Sequence, residues 1–190
     1  GMGIIHSERP PHDIHEIGGR QEIIQLWINT PAKNKLDQPA YYPVSKEEAP
    51  AFTSEDQLVT GRVFSGNVAG ARGPVPSQTD VNAATLEFKQ DGQISIPLPA
   101  SHTALIYLLD GKVSVTGFGL IEELHLVHFN TDGEGIEIKA LSDTRLLLLS
   151  GEPLNEKVVS YGPFVMNTQT QIMEAMRDYQ MGKMGVLIEE

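Results

Sequence analysis

Residues 103–115 read TALIYLLDGKVSV and hold the clearest folding signal in the chain. The runs at 103–109 and 112–115 are rich in β-branched, aromatic and other apolar residues, which favour strands. Asp110 and Gly111 separate them, and this dipeptide favours a type I′ turn because both residues tolerate positive φ. The stretch therefore predicts a β-hairpin.

Similar short runs lie on both sides of this stretch, at 58–64, 83–88, 94–98, 123–129, 135–140 and 144–149. About eight short strands separated by turn residues at roughly 8–12-residue spacing predict a β-sandwich or barrel. The four leucines at 146–149 indicate a strand that is buried on both faces.

Two segments outside this region carry their own signals. Residues 22–29, EIIQLWIN, predict a well-buried strand, followed by an extended, proline-containing connection over 31–56. Near the other end, Thr168 and Gln171 have the spacing of a capping box. Apolar residues then recur at helical spacing until Gly182, which predicts one C-terminal helix.

Composition limits the classes of function. The formal net charge is −11 with only 14 Lys and Arg residues, which argues against direct nucleic-acid binding. Cysteine is absent, so disulfides and thiolate metal sites are excluded. No apolar run approaches the roughly 20 residues that span a bilayer. We therefore expect a soluble, cytoplasmic protein that binds neither nucleic acid nor membrane directly.

The first residues, GMGIIHSERPPHDIHE, contain side chains that can bind metal. His6 and Glu8 stand two apart after an apolar pair, and His12 and His15 follow in a stretch with turn formers. We interpret His12 and His15 as solvated residues of an exposed loop.

Four stretches of the chain resemble the pirin family: GIIHSE, QLWINTPAKNK, LLLLSGEPLNEKVVSYGPFVMNT and MRDYQMGKMG. The resemblance implies a mainly β protein built from cupin (RmlC-like, jelly-roll) β-barrels, with a short C-terminal helix. It assigns residues 1–56 to a remnant of a first cupin domain plus a linker, 57–165 to the C-terminal cupin barrel, and 166–190 to the helix and tail. Most of the first barrel is expected upstream of Met2, so that the chain is interpreted as a truncated pirin-like protein.

The same resemblance implies a metal role for His6 and Glu8. Pirins hold Fe(II) with a His-x-His pair and a later His-x-Glu pair, and His6 and Glu8 match the later pair. With the first pair expected upstream of Met2, no bound cofactor is expected unless another chain completes an Fe(II) site. His102, His125 and His128 do not match ligand positions of the second barrel, which is expected to lack metal.

Three hypotheses of function follow, and the first is favoured. The chain is a non-catalytic protein-interaction or regulatory module, an Fe-dependent quercetin 2,3-dioxygenase-like enzyme whose metal is completed across a dimer, or a sensor that binds a small molecule in its second barrel. No catalytic residue is assigned.

The apolar residues near the start of the chain predict an interface. Without a first barrel, they would expose apolar surface and strand edges, which promote aggregation. We expect residues 4–28 to be covered by the rest of the chain or, in preference, by a symmetric homodimer. The set is Ile4, Ile5, Ile23, Ile24, Leu26, Trp27 and Ile28.

Overall fold

The protein is described by a computed structural model that covers residues 2–9 and 12–187. The chain divides into two compact units. One combines Gly1–Tyr41 with Asn155–Glu190, and the other is Tyr42–Leu154. We call them the terminal unit and the central unit and describe each by itself.

The central unit consists of antiparallel β-strands. In chain order, the strands are β1 Ala51–Thr53, β2 Val59–Ser65, β3 Asn67–Val68, β4 Ala71–Arg72, β5 Val81–Phe88, β6 Gln93–Pro97, β7 Thr103–Asp110, β8 Lys112–Val115, β9 Gly119–Glu122, β10 Leu126–His128, β11 Gly135–Ala140 and β12 Thr144–Gly151. A six-stranded sheet has the order β1-β2-β5-β12-β7-β10, a four-stranded sheet has the order β6-β11-β8-β9, and β3 and β4 form a small ribbon.

The two larger sheets share one hydrophobic core. Inward residues alternate along the strands, so that Leu146 and Leu148 are fully buried while Leu147 and Leu149 are half-buried. From the four-stranded sheet, Ile138 and its inward neighbours join the same cluster. Two antiparallel sheets packed over one core are the jelly-roll arrangement. The prediction of a mainly β, jelly-roll fold is confirmed.

The predicted hairpin at 103–115 is wrong. Strand β7 pairs with β12 and β10, whereas β8 pairs with β11 and β9 in the other sheet. Gly111 has φ +86°, but Asp110 lacks the positive φ that a type I′ turn needs. The Asp110 carboxylate instead accepts hydrogen bonds from Arg145 N (3.0 Å) and Nε (2.6 Å), while Lys112 N donates to Thr144 Oγ1 (3.0 Å). The dipeptide is a corner at which the chain passes between sheets.

The terminal unit contains the helices of the described residues. They are α1 His12–Ile17, a 3-10 helix at Ala32–Asn34, and α2 Gln169–Gln180, which follows the hairpin of β13 Val159–Tyr161 and β14 Phe164–Met166. Neither α-helix in this described part of the chain is long and apolar enough to span a bilayer.

The C-terminal helix is confirmed. Thr168 Oγ1 accepts a hydrogen bond from Gln171 N (3.2 Å), and Gln171 Oε1 in turn accepts from Asn167 N (3.2 Å). Ile172 on its inner face is fully buried, and Gly182 beyond its end has φ +73°.

Two local predictions for this unit are wrong. Residues around His12 form helix α1 rather than a loop. The helix ends at Ile17, and the next residue, Gly18, has φ +73° and donates its N–H to the Ile14 carbonyl (3.0 Å). Residues 22–29 form no strand, and 22–28 are exposed rather than buried. Their composition favours a strand, but a strand also needs a neighbouring strand, and none is assigned beside them in the described part of the chain.

Candidate functional site

His6 and Glu8 lie in the segment 2–9 of the terminal unit, which forms neither helix nor strand. Backbone hydrogen bonds hold this segment, from Met2 N to Asp37 O (2.8 Å) and from Ile5 N to Met184 O (3.2 Å). Both side chains are exposed. The Glu8 carboxylate accepts a hydrogen bond from Gln25 Nε2 (3.0 Å), which orients it.

These two donors are not a complete metal site. Among the side chains that the structure describes, which do not include those of His12, Asp13 and His15, no three from His, Asp or Glu come together in a way that could hold an ion. An imidazole and a carboxylate suit a non-haem metal, but two ligands from one segment do not fix one. The backbones of His12 and His15 lie in α1, and their side chains are outside the described residues.

His102, His125 and His128 lie in the central unit. His125 and His128 are exposed, and His125 Nδ1 contacts the carbonyls of Glu122 (3.2 Å) and Glu123 (3.0 Å). His102 is buried in the central unit.

A cavity of about 670 Å³ lies in the terminal unit. Its volume is in the range of small-molecule sites. His6 is one of its lining residues, so the cavity is adjacent to the candidate metal ligands. The lining consists of Met2, Gly3, Ile4, Ile5, His6, Trp27, Ile28, Asn29, Thr30, Lys35, Leu36, Pro163, Phe164, Val165, Met166, Gln171, Glu174, Ala175, Asp178, Tyr179 and Met184.

Lys35 is the buried charge of this cavity, with only 5% of its surface exposed. Its Nζ donates to Asn29 Oδ1 (2.5 Å) and to the Thr30 carbonyl (2.8 Å). Burial lowers the pKa of Lys35, and the charge of Glu156 opposes this shift more weakly. Sequence reasoning missed Lys35, because lysines are usually exposed and nothing in its spacing marks it as buried.

The central unit holds a buried polar chain that the sequence did not reveal. Asn82 Nδ2 donates to Ser150 Oγ (2.9 Å), Ser150 Oγ lies 3.2 Å from His102 Nδ1, and His102 Nε2 lies 3.5 Å from Asp80 Oδ2. The β5–β12 register brings Asn82 opposite Ser150, which no spacing along the chain could indicate. Ser150 is buried and already accepts the Asn82 amide, so that these contacts tie strand ends together rather than expose a nucleophile.

Comparison with known proteins identifies the relatives of the chain. Residues 83–185 match the family model described as the pirin C-terminal cupin domain. The chain is 35% identical over 191 residues to Pirin-1 of Arabidopsis thaliana and 32% identical over 189 residues to Pirin of Mus musculus. Each match covers 97% of this chain and 63% of the relative.

A solved structure is also similar. The crystal structure of a quercetin 2,3-dioxygenase from Acinetobacter baumannii matches with a TM-score of 0.80 and 30% identity, over 85% of this chain and 56% of that one. The chain spans 62–65% of the length of the first curated relatives that it matches.

Proposed function

The chain belongs to the pirin family, and from this membership we propose that it acts as a non-catalytic protein-interaction module that pairs with a second copy of itself. The contact is made by residues 23–28, which we call the apolar segment, together with the neighbouring residues from position 4 onward. The exposure of the apolar segment is the observation that carries the proposal.

The apolar segment presents large side chains to solvent. Between 44% and 65% of the surface of each is exposed. Large apolar side chains that are exposed together favour an interaction surface, because in a folded protein they would otherwise be an aggregation hazard. The side chains are Ile23, Ile24, Leu26, Trp27 and Ile28.

The backbone of the apolar segment is also unpaired. Among residues 2–9 and 12–187, no backbone group forms a backbone hydrogen bond with residues 23–28. An extended chain with free N–H and C=O groups is a template for adding another strand. Backbone and side chains of the segment therefore favour the same kind of partner, a second extended chain.

A second copy of the protein satisfies both requirements at once. Each copy carries the same unpaired backbone and the same exposed apolar side chains, and a two-fold axis places identical patches against each other. The charged residues Arg20 and Glu22 precede the segment, and within residues 23–28 Gln25 is the one polar residue.

Light scattering tests the proposal. At tens of micromolar, we expect the wild-type protein to have twice the 20.8 kDa mass of one chain. Ile23→Glu places a charge in the interface and should give the mass of one chain. Leu120→Glu is the matched control, because Leu120 on β9 is similarly exposed but lies in the central unit. A wild-type mass of one chain, or dissociation by Leu120→Glu alone, would reject the proposal.

A second candidate is a metal-dependent enzyme whose site is shared between two copies. Gln25 of the apolar segment binds Glu8, so pairing through that segment would bring a second His6 and Glu8 to the same interface. Two imidazoles and two carboxylates are a ligand set suited to non-haem iron. The similar Acinetobacter protein is named a quercetin 2,3-dioxygenase, which makes quercetin and O₂ the substrates to test.

Metal analysis separates the two candidates. The shared site predicts one ion per two chains in protein purified without chelator, quercetin turnover, and loss of both with His6→Ala. His128→Ala is the control, because His128 is exposed in the other unit. Iron that is lost with His6→Ala would reject the non-catalytic proposal. If the protein remains metal-free after incubation with Fe(II), the metal-dependent enzyme candidate is rejected.

A further inference from the structure

We propose that the cavity of the terminal unit binds a small amphipathic monoanion, such as a medium-chain carboxylate, with its charged group on Lys35. This ligand site goes beyond the proposed self-association and does not require a metal at His6 and Glu8.

The Lys35 ammonium provides the recognition group. An ammonium has three N–H donors, and in the described part of the chain Asn29 Oδ1 and the Thr30 carbonyl accept two of them. Asn29, Thr30 and Lys35 are all lining residues of the cavity. Because Lys35 is buried, a carboxylate oxygen on the third donor would be a charge-assisted hydrogen bond away from water.

The apolar residues of the cavity lining favour a ligand whose uncharged part is apolar. Ile4, Ile5, Trp27, Phe164 and Tyr179 contribute apolar surface to the cavity. At about 670 Å³, the space accommodates a chain of eight or more carbons. An aliphatic tail would release water from these side chains, while the head group meets Lys35.

The acidic residues of the lining limit the ligand to one charge. Helix α2 contributes Glu174 and Asp178, and the Asp178 carboxylate is already paired with Lys183 Nζ at 2.6 Å. A second carboxylate on the ligand would meet these acids and be repelled. The site therefore favours a monoanion over a dianion of the same length.

Matched ligands isolate the contribution of the charge. Trp27 lines the cavity and is the single tryptophan of the chain, so its fluorescence reports on this site. We expect octanoate to bind saturably and about tenfold more tightly than 1-octanol, as one charge-assisted hydrogen bond implies, and suberate to bind more weakly than octanoate. Equal affinity of the wild-type protein for octanoate and octanol would overturn the proposal, as would the absence of saturable binding.

Matched variants assign the effect to Lys35. Lys35→Met should lower octanoate affinity about tenfold, to that of octanol, and leave octanol binding unchanged. Lys33→Met, at an exposed lysine of the 3-10 helix Ala32–Asn34 that directly precedes Lys35, should change neither affinity. Retained preference for octanoate in a folded Lys35→Met protein would overturn the assignment, and the wild-type ligand series decides the matter if that variant does not fold.

Light scattering with and without octanoate completes the test, because Trp27 is also part of the apolar segment. We expect the Trp27 fluorescence to reach saturation as octanoate is added, while the mass of the protein measured by light scattering stays constant. A signal that appears only when the mass changes would attribute the fluorescence to self-association and overturn the ligand site.

Discussion

Asn82, Ser150, His102 and Asp80 form a continuous polar chain that runs from the core of the central unit to exposed Asp80. With Asn82 donating to Ser150, the hydroxyl proton is free to go to His102 Nδ1, which leaves Nε2–H directed at Asp80. Each buried polar group thus has a partner, and this is the condition under which buried polar groups do not destabilise a core.

Removing the hydroxyl in the middle of this chain should be costly. Ser150→Ala leaves the Asn82 amide and His102 Nδ1 buried without their partner, so we expect the free energy of unfolding to fall by about 1–3 kcal/mol. The midpoint of urea unfolding measures the change.

The control for this prediction is Ser95→Ala, at an exposed position of β6. It should alter the free energy of unfolding by no more than about 0.5 kcal/mol. If Ser150→Ala unfolds at the same urea concentration as Ser95→Ala, the polar chain does not stabilise the central unit.

Single residues differed in how far the sequence revealed them. His6 and Glu8 could be identified because a short motif carries them and the family resemblance interprets it. Lys35 could not, because lysines are usually exposed and no local pattern in the sequence marks this one as buried. Ser150 and His102 lie 48 residues apart and meet only through strand pairing.

At the scale of elements, Gly111 forms the corner at which the chain leaves the six-stranded sheet and enters the four-stranded sheet. Positive φ is required there, and a Cβ at this position would collide with the Thr144 side chain. Gly117 has a similar φ of +78° but open space around it. The two glycines therefore separate the cost of the backbone conformation from the cost of the close contact.

Alanine substitution should distinguish the two positions. In both variants, alanine in a left-handed backbone conformation should lower the free energy of unfolding by about 1–2 kcal/mol. Gly111→Ala should lose about 1–3 kcal/mol more, because its Cβ also displaces packed neighbours. Urea unfolding of both proteins measures the difference. Equal destabilisation would show that the corner tolerates a side chain and that its tight packing is not required.

Elements governed by local interactions could be predicted, whereas those that depend on pairing could not. The capping side chains of α2 lie within a few residues of each other, so its start could be read directly from Thr168 and Gln171. Asp110-Gly111 correctly indicated a tight bend, but the choice of sheet after the bend depends on contacts with Thr144 and Arg145. Residues 22–29 had strand composition, and composition alone does not supply a neighbouring strand.

At the scale of the whole molecule, the central unit is a cupin jelly roll with its own core, and the terminal unit carries the features proposed to be functional. His6, Glu8, Lys35 and the apolar segment all lie in the terminal unit. A family match over residues 83–185 therefore identifies the fold, while the apolar segment, Lys35 and about half of the cavity lining lie outside the matched region.

Hydrogen exchange at residues 23–28 tests the central claim most directly, because these amides have no acceptor within the described chain. If two copies pair through the apolar segment, its amides should be protected at tens of micromolar, and the protection should disappear on dilution and in Ile23→Glu. Exchange at the rate of an unstructured peptide at every protein concentration would contradict the account.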